Sequence, residues 1–505
     1  MPPIRKPLPL ARQPETRLKT GMPGLDDILH GGLPTGHLYL VEGNPGSGKT
    51  TFGVQFLMAG VAAGERALYV TLAESQAELE QSAASHNFDL SGIEIFEVNP
   101  PELASTSLEQ YTVFHPSEVE LVDVMHSILE RVTKAKASRI VIDSMSELRM
   151  LARDPLRYRR QIMTLKQFFM GQNTTVLLLD DRSGEGTDTQ LQSIAHGVLR
   201  MDTIEREFGV IRRQFEVRKL RASAFREGFH DYVIRKGGLK FFPRMVAGEH
   251  SQQDVDATLL SSGIAELDRL VGGGLSRASS TLLLGPAGIG KSTLVAVYMV
   301  NAAARGERSV IFAFDEVPHS ILVRCRGLGI PLDEYVKKGL IRIEPMDPAA
   351  VSPGEFVARI RSEAEDKKCR IIAIDSLNGL FHAMREEHAM AVQLHDLIAY
   401  LNQSGVASFM ILAQYGVIGS HMTVPVDISY LADNVLLFRY FEAQGAVKQA
   451  ISVVKRRSGP HERTIRELVM GENKIQIGMP LHEFEGVLTG TPRYVGNSTP
   501  LLEKK

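Results

Sequence analysis

The chain has 505 residues, room for two domains of about 250 residues or three of about 150. Apolar residues make up 44% and charged residues 23%, a globular balance that excludes disorder and coiled coil, and two cysteines exclude a disulfide framework. Fifty-seven basic against 59 acidic residues leave a net charge of −2, so nothing global calls for a polyanionic partner.

In chain order, residues 1–19 carry Pro2, Pro3, Pro7, Pro9 and Pro14 among basic side chains and read as an extended tail. No secretory h-region and no apolar run long enough to span a bilayer follows, so the expected location is the cytoplasm, with no membrane partner. From Thr20 to Thr51 runs TGMPGLDDILHGGLPTGHLYLVEGNPGSGKTT, and from Ser262 to Thr293 its counterpart SGIAELDRLVGGGLSRASSTLLLGPAGIGKST. Gly21 pairs with Gly263, Asp26 with Asp268 and Lys49 with Lys291, always 242 residues apart, a period that means duplicated domains. The join falls where RMVAGEHSQQDVDATLLSS loses hydrophobic periodicity. The expected domains are therefore 20–250 and 251–492, followed by a short tail, 493–505.

Within the first half the apolar runs HLYLVEG, RALYVTL, RIVIDS and TTVLLLDD alternate with helical patterns, and STLLLG, SVIFAF, RIIAIDS and ASFMILAQ repeat the order in the second. Continuous apolar strands between helices predict two α/β domains, each a three-layer α/β/α sandwich around a largely parallel sheet. Later runs, FEVRKLRA and AISVVKRR, read as antiparallel additions at the sheet edge.

After the first strand stand Gly43, Asn44, Pro45, Gly46, Ser47, Gly48, Lys49, Thr50 and Thr51, and at the equivalent place Gly285, Pro286, Ala287, Gly288, Ile289, Gly290, Lys291, Ser292 and Thr293. Each satisfies GxxxxGK[ST] between a strand and a helix. The glycines let backbone N–H groups wrap a phosphate, the lysine reaches its oxygens, and Thr50 or Ser292 offers a hydroxyl to Mg²⁺. ATP and Mg²⁺ are thus the expected ligands. Asp143 and Asp375 end the RIVID and RIIAID strands, where a P-loop needs a carboxylate for the metal. After the neighbouring strand come Glu74 in one half and Glu316 in the other, but the preceding position is Ala73 in the first and Asp315 in the second. Helix capping would also place acids there.

With these P-loops, leaders and acidic positions, the chain resembles the bacterial KaiC family of double-domain RecA-like ATPases over nearly its whole length. The resemblance implies tandem RecA-like P-loop domains, a homo-hexameric double ring with ATP between neighbours, ATPase activity and serine/threonine autokinase activity in the second ring, with a signalling protein as partner. The family's paired catalytic glutamates fall on Ala73 and Glu74, and on Asp315 and Glu316. Glu316 is expected as the principal base, with Glu74 a weaker counterpart. Lys219 with Arg221, and Lys455 with Arg457, match the basic pair that the family sets against a neighbour's nucleotide. Two residues apart on a strand, each pair shares one face. The family's adjacent phosphorylated hydroxyls fall on Ser429 and Tyr430, and matching SIAHGVL to YLADNVL puts Gln192 opposite Ser429.

Two other readings compete. RecA-like rings include DNA-dependent motors, but a pI near 6.8 and the absence of Trp do not suit a strand-binding channel, so nucleic acid is not the expected partner. A nucleotide-holding scaffold with slow turnover is the other. The histidines, His382, His388 and His395 included, lie off the spacing of a helical metal pair.

Overall fold

The computed structural model describes residues 16–98, 116–182, 189–205, 209–246, 258–383, 389–414, 416, 428–471 and 474–496. The chain divides into two compact units, Met1–Arg244 and Met245–Lys505.

Each unit is built on a nine-stranded sheet. In the first the strand order is 238–242, 230–235, 212–220, 197–204, 38–43, 175–181, 139–143, 67–71, 93–97. In the second it is 474–480, 466–471, 446–456, 434–443, 280–285, 407–413, 369–375, 308–313, 341–345, so the topology is repeated strand for strand. Strand Leu38–Gly43 is buried along its whole length, as a central strand covered on both faces must be. The half of each sheet carrying the acidic strands is parallel, and the remainder is antiparallel. Helices Lys49–Ala62 and Lys291–Ala304 each pack an apolar surface on one sheet face. In the first unit one core gathers Phe52, Phe56, Tyr69, Leu177 and Phe241, and a second core on the other sheet face gathers Leu40, Ile142, Leu165 and Leu178. These are the two interiors of an α/β/α sandwich.

Three features differ from the sequence expectation. Strands Arg212–Leu220 and Ala446–Arg456 are antiparallel but internal, because hairpins 230–242 and 466–480 add outside them. Residues 93–97 and 341–345 form the opposite edge strands; IEIFE and IRIEP alternate charge with apolar residues, a pattern suited to an edge. Within the tail, Arg17–Leu18 pairs with Leu33–Pro34, and Arg17 donates to the Leu29 carbonyl at 2.7 Å, so the end of that segment is anchored. At the other terminus Arg493–Tyr494 pairs with Phe484–Glu485. Residues 1–15, 247–257 of the join, and 497–505 lie outside the described residues, as do His388 and residues 420–427 before Ser429.

Candidate functional site

Both P-loops leave the central strand of their sheet and turn into a 14-residue helix. The residue before each helix is a glycine in the left-handed region, Gly48 at φ 95° and Gly290 at φ 97°. A Cβ on Gly48 would also lie 2.6 Å from Ile234 Cδ1, so glycine is required there by conformation and by space. The unpaired N–H groups of the helix start, with the dipole's positive end, then face the loop. Ser47 Oγ is buried without a hydrogen-bond partner among the described residues. This cradle fits a phosphate group.

Lys49 donates from Nζ to the carbonyl oxygens of Gly43 at 3.0 Å and Asn44 at 3.1 Å. Lys291 repeats this toward Gly285 at 2.8 Å and Pro286 at 2.7 Å. Each lysine is therefore held back over its own loop. The Thr50 hydroxyl donates to Asp143 Oδ2 at 2.9 Å, and the Ser292 hydroxyl hydrogen-bonds Asp375. Hydroxyl and carboxylate thus meet at equivalent places in both domains, although 93 residues separate Thr50 from Asp143. Burial raises the pKa of both aspartates above the ordinary value, opposed by their hydroxyl partners, and a bound cation would relieve that penalty. That donor set fits Mg²⁺.

Around this shared frame the two sites diverge. In the first, Tyr69 also donates to Asp143 Oδ2 at 2.6 Å, and its counterpart at the repeat offset is Ile311. Lys49 forms an ion pair with Asp181 Oδ1 at 2.6 Å. In the second, burial lowers the Lys291 pKa to about 8, and among the described residues no carboxylate forms an ion pair with it. Strand register puts Asp181 opposite Gly43 and Ala413 opposite Gly285, so the carboxylate beside Lys49 has no equivalent.

Glu74 immediately precedes the cap of helix Gln76–Ser85, which is Ser75 in a capping box with Glu78. Helix capping therefore does not account for Glu74. Its backbone is clamped by Thr71, whose hydroxyl donates to the Glu74 carbonyl at 2.6 Å, and its pKa is raised by partial burial and by Asp143, Glu78 and Asp181. Helix Pro318–Gly327, by contrast, begins at Val317 without a side-chain cap, so Asp315 and Glu316 do not cap it either. Both carboxylate oxygens of Glu316 accept from the single nitrogen Nη1 of Arg324, at 2.6 and 2.5 Å. Asp315 instead accepts the hydroxyl of Ser376, the residue after Asp375. The first domain has Ala73 at that position, and Ser144 turns to Ser146, 2.5 Å away.

The basic pairs reach carbonyls of their own chain. Lys455 donates to Ser429 O at 2.9 Å and Arg457 to Tyr430 O at 2.8 Å, while Lys219 donates to Gln192 O and Arg221 to Ser193 O at 2.8 Å. A register shift falls at the same place in both domains, after Val198 opposite Lys219 and after Val435 opposite Lys455, while Arg221 and Arg457 follow the ends of their strands rather than sharing a strand face with the lysines. Tyr430 is exposed and Ser429 half-buried. Gln192, at the Ser429 position, donates to the buried carboxylate of Glu42 at 2.8 Å.

A duplicated α/β sandwich with a phosphate cradle, a hydroxyl–aspartate pair and flanking acids in each copy defines a tandem P-loop nucleotide-binding protein. The sequence model of the KaiC ATPase family matches residues 18–246 and again 260–482. The chain belongs to the KaiC family. It is 29% identical over 484 residues to the circadian clock oscillator protein KaiC of Acaryochloris marina, covering 95% of this chain and 92% of that one. To the circadian clock protein KaiC3 of Synechocystis it is 27% identical over 491 residues, covering 95% of each. Among the described residues no helix is long and apolar enough to cross a membrane.

Sequence reasoning assigned no task to Tyr69, Asp181, Arg324 or Ser376. The second acid of TTVLLLDD was visible, but only strand order shows that it ends beside the P-loop lysine.

Proposed function

We propose that the protein binds and hydrolyses ATP with Mg²⁺ at both P-loops, assembles as a homo-hexamer with nucleotide between neighbours, and transfers phosphate to Ser429 in its second domain. A signalling protein is its proposed partner, in keeping with the clock proteins it resembles. The observation that carries this reading is the repeated cradle, in which a loop-held lysine, a hydroxyl–aspartate pair and flanking carboxylates recur in both domains.

Mg²⁺ held near Thr50 and Asp143, or Ser292 and Asp375, supplies charge neutralisation for the phosphates. The lysines leave their loop carbonyls for phosphate oxygens, an exchange favoured by full charge on the new partner. In the second site Asp315 is the better proton acceptor, because Glu316 is engaged on both oxygens by Arg324. Sequence position ranked Glu316 first; the ion pair with Arg324 is the reason to propose Asp315 instead. Ser429 on a neighbouring subunit would be the nucleophile, with Lys455 and Arg457 fixing the backbone that carries it. Tyr430, longer by a ring, is a weaker acceptor.

Ala73 favours a second reading for the first domain alone, a site that retains ATP to hold the assembly. Incubation with γ-labelled ATP, following released phosphate, label on the chain and native mass, tests the proposal. Assembly without phosphate release supports the scaffold; salt-sensitive binding to DNA, with turnover dependent on it, supports a motor instead.

A further inference from the structure

Each site has three acidic side chains, the aspartate of its hydroxyl pair and two more, but the third comes from different places. In the second domain they are Asp375, Glu316 and Asp315, the last of them two residues beyond strand 308–313 and bound by Ser376. In the first they are Asp143, Glu74 and Asp181, with Ala73 where Asp315 would be. Asp181 ends strand 175–181, directly beside the P-loop strand, and the second domain has Ala413 there. One carboxylate is missing from each domain, and each absence is matched by an acid at the other position.

Asp181 is also oriented. Its Oδ1 lies 2.6 Å from Lys49 Nζ, the group that must reach the terminal phosphate, so the carboxylate stands next to where that phosphate arrives. Its neighbour Asp180 ends on the opposite face of the strand, where Arg149 holds it. Asp181 is about a third exposed while Lys49 is buried, so water has access to the carboxylate and the lysine does not leave the site.

We infer that Asp181 orients the attacking water of the first site and accepts its proton, taking the part that position 73 cannot play. This rests on the proposal that the first P-loop binds and hydrolyses ATP. In the step, the water oxygen bonds to the γ-phosphorus, and the bond from that phosphorus to the bridging oxygen breaks. Its electron pair stays on ADP, and the proton lost by water passes to Asp181. Before it, Lys49 exchanges Asp181 for phosphate oxygens, which frees the carboxylate for water. Asp181 therefore opposes nucleotide binding and promotes hydrolysis.

A counterion alone would compete for Lys49 in the same way but would leave the chemical step unchanged, so turnover at saturating ATP and rescue by Ala73→Asp separate the two roles. The test uses the full chain carrying Lys291→Ala to silence the second site. Affinity for a non-hydrolysable ATP analogue is measured by calorimetry, and turnover by phosphate release. Asp181→Asn should slow release by about 10²-fold or more while the analogue binds more tightly, and adding Ala73→Asp should restore turnover at least about 10-fold. Turnover changed less than about two-fold by Asp181→Asn, or rate and affinity falling together with no rescue by Ala73→Asp, would overturn the inference alone. No turnover in the Lys291→Ala chain with Asp181 intact would overturn the first-site hydrolysis reading as well.

Discussion

Lys455 donates from Nζ to the backbone carbonyl of Ser429 at 2.9 Å, tying the basic strand of the second domain to its candidate phosphate acceptor. Arg457 holds the next carbonyl and also pairs with Asp433 at 3.3 Å, so the segment is fixed from both sides. The first domain builds the same clamp with Lys219 and Arg221, but presents Gln192 in place of the serine. The clamp is thus common to both domains, but the residue whose carbonyl the lysine holds is a serine in the second and a glutamine in the first, where Ser193 is the next residue along.

Peptide mapping after incubation with ATP should accordingly find phosphate on Ser429 and none on the segment around Gln192. Lys455→Met should reduce the label by about 10-fold or more through lost positioning. Label on Tyr430 with Ser429 unmodified would show that the clamp presents the ring instead.

The two acids of the second site should separate by substitution. Asp315→Asn is expected to lower second-site turnover by about 10²- to 10⁴-fold, the usual cost of removing a transition-state proton acceptor. Glu316→Gln should cost less, because its main partner is Arg324. Rates are compared in a Lys49→Ala background; a larger loss with Glu316→Gln would restore the order inferred from sequence.

Much of this was legible before any fold was available. The P-loops, Asp143 and Asp375 declare themselves because a strand, a glycine loop and a helix are consecutive in the chain and their chemistry is local. Ser429 and Gln192 could be matched because the repeat carries its own alignment. Strand order was not legible. It alone brings Asp181 beside Lys49, puts Tyr69 on Asp143, and buries strands 212–220 and 446–456 inside the sheet. The bond between Arg324 and Glu316 spans only eight residues, yet periodicity does not say which of two adjacent acids a helix will engage.

Acid should weaken the first domain through His230. Burial pulls its pKa down to about 4, with Nδ1 accepting from the Arg244 N–H at 2.8 Å. Between pH 4 and the ordinary value of 6.5 the unfolded chain binds a proton that the folded chain refuses, so stability falls as pH drops through this window. The full loss is about 3 kcal/mol. Urea unfolding of His230→Gln at pH 7 and pH 5 should show a smaller pH dependence than the parent chain; an equal dependence would assign the effect elsewhere.

Removing the P-loop lysines should have unequal consequences without nucleotide. Lys49→Ala leaves Asp181 beside Glu74 and Asp143 with no cation between them, a cost of about 1 to 3 kcal/mol. Lys291→Ala removes a buried ammonium that lacks such a partner and should cost less. Thermal scans check the order, and once ATP is added native mass spectra should show greater loss of the proposed hexamer for Lys49→Ala. Equal behaviour of the two variants would mean that the pair with Asp181 carries no weight.

Counting nucleotide bound per chain tests the central claim of two working cradles most directly. Protein equilibrated with excess ATP and Mg²⁺, separated and denatured, should release two nucleotides per chain, and one from either Lys49→Ala or Lys291→Ala. Fewer than one from the parent chain, or two from both variants, would contradict it.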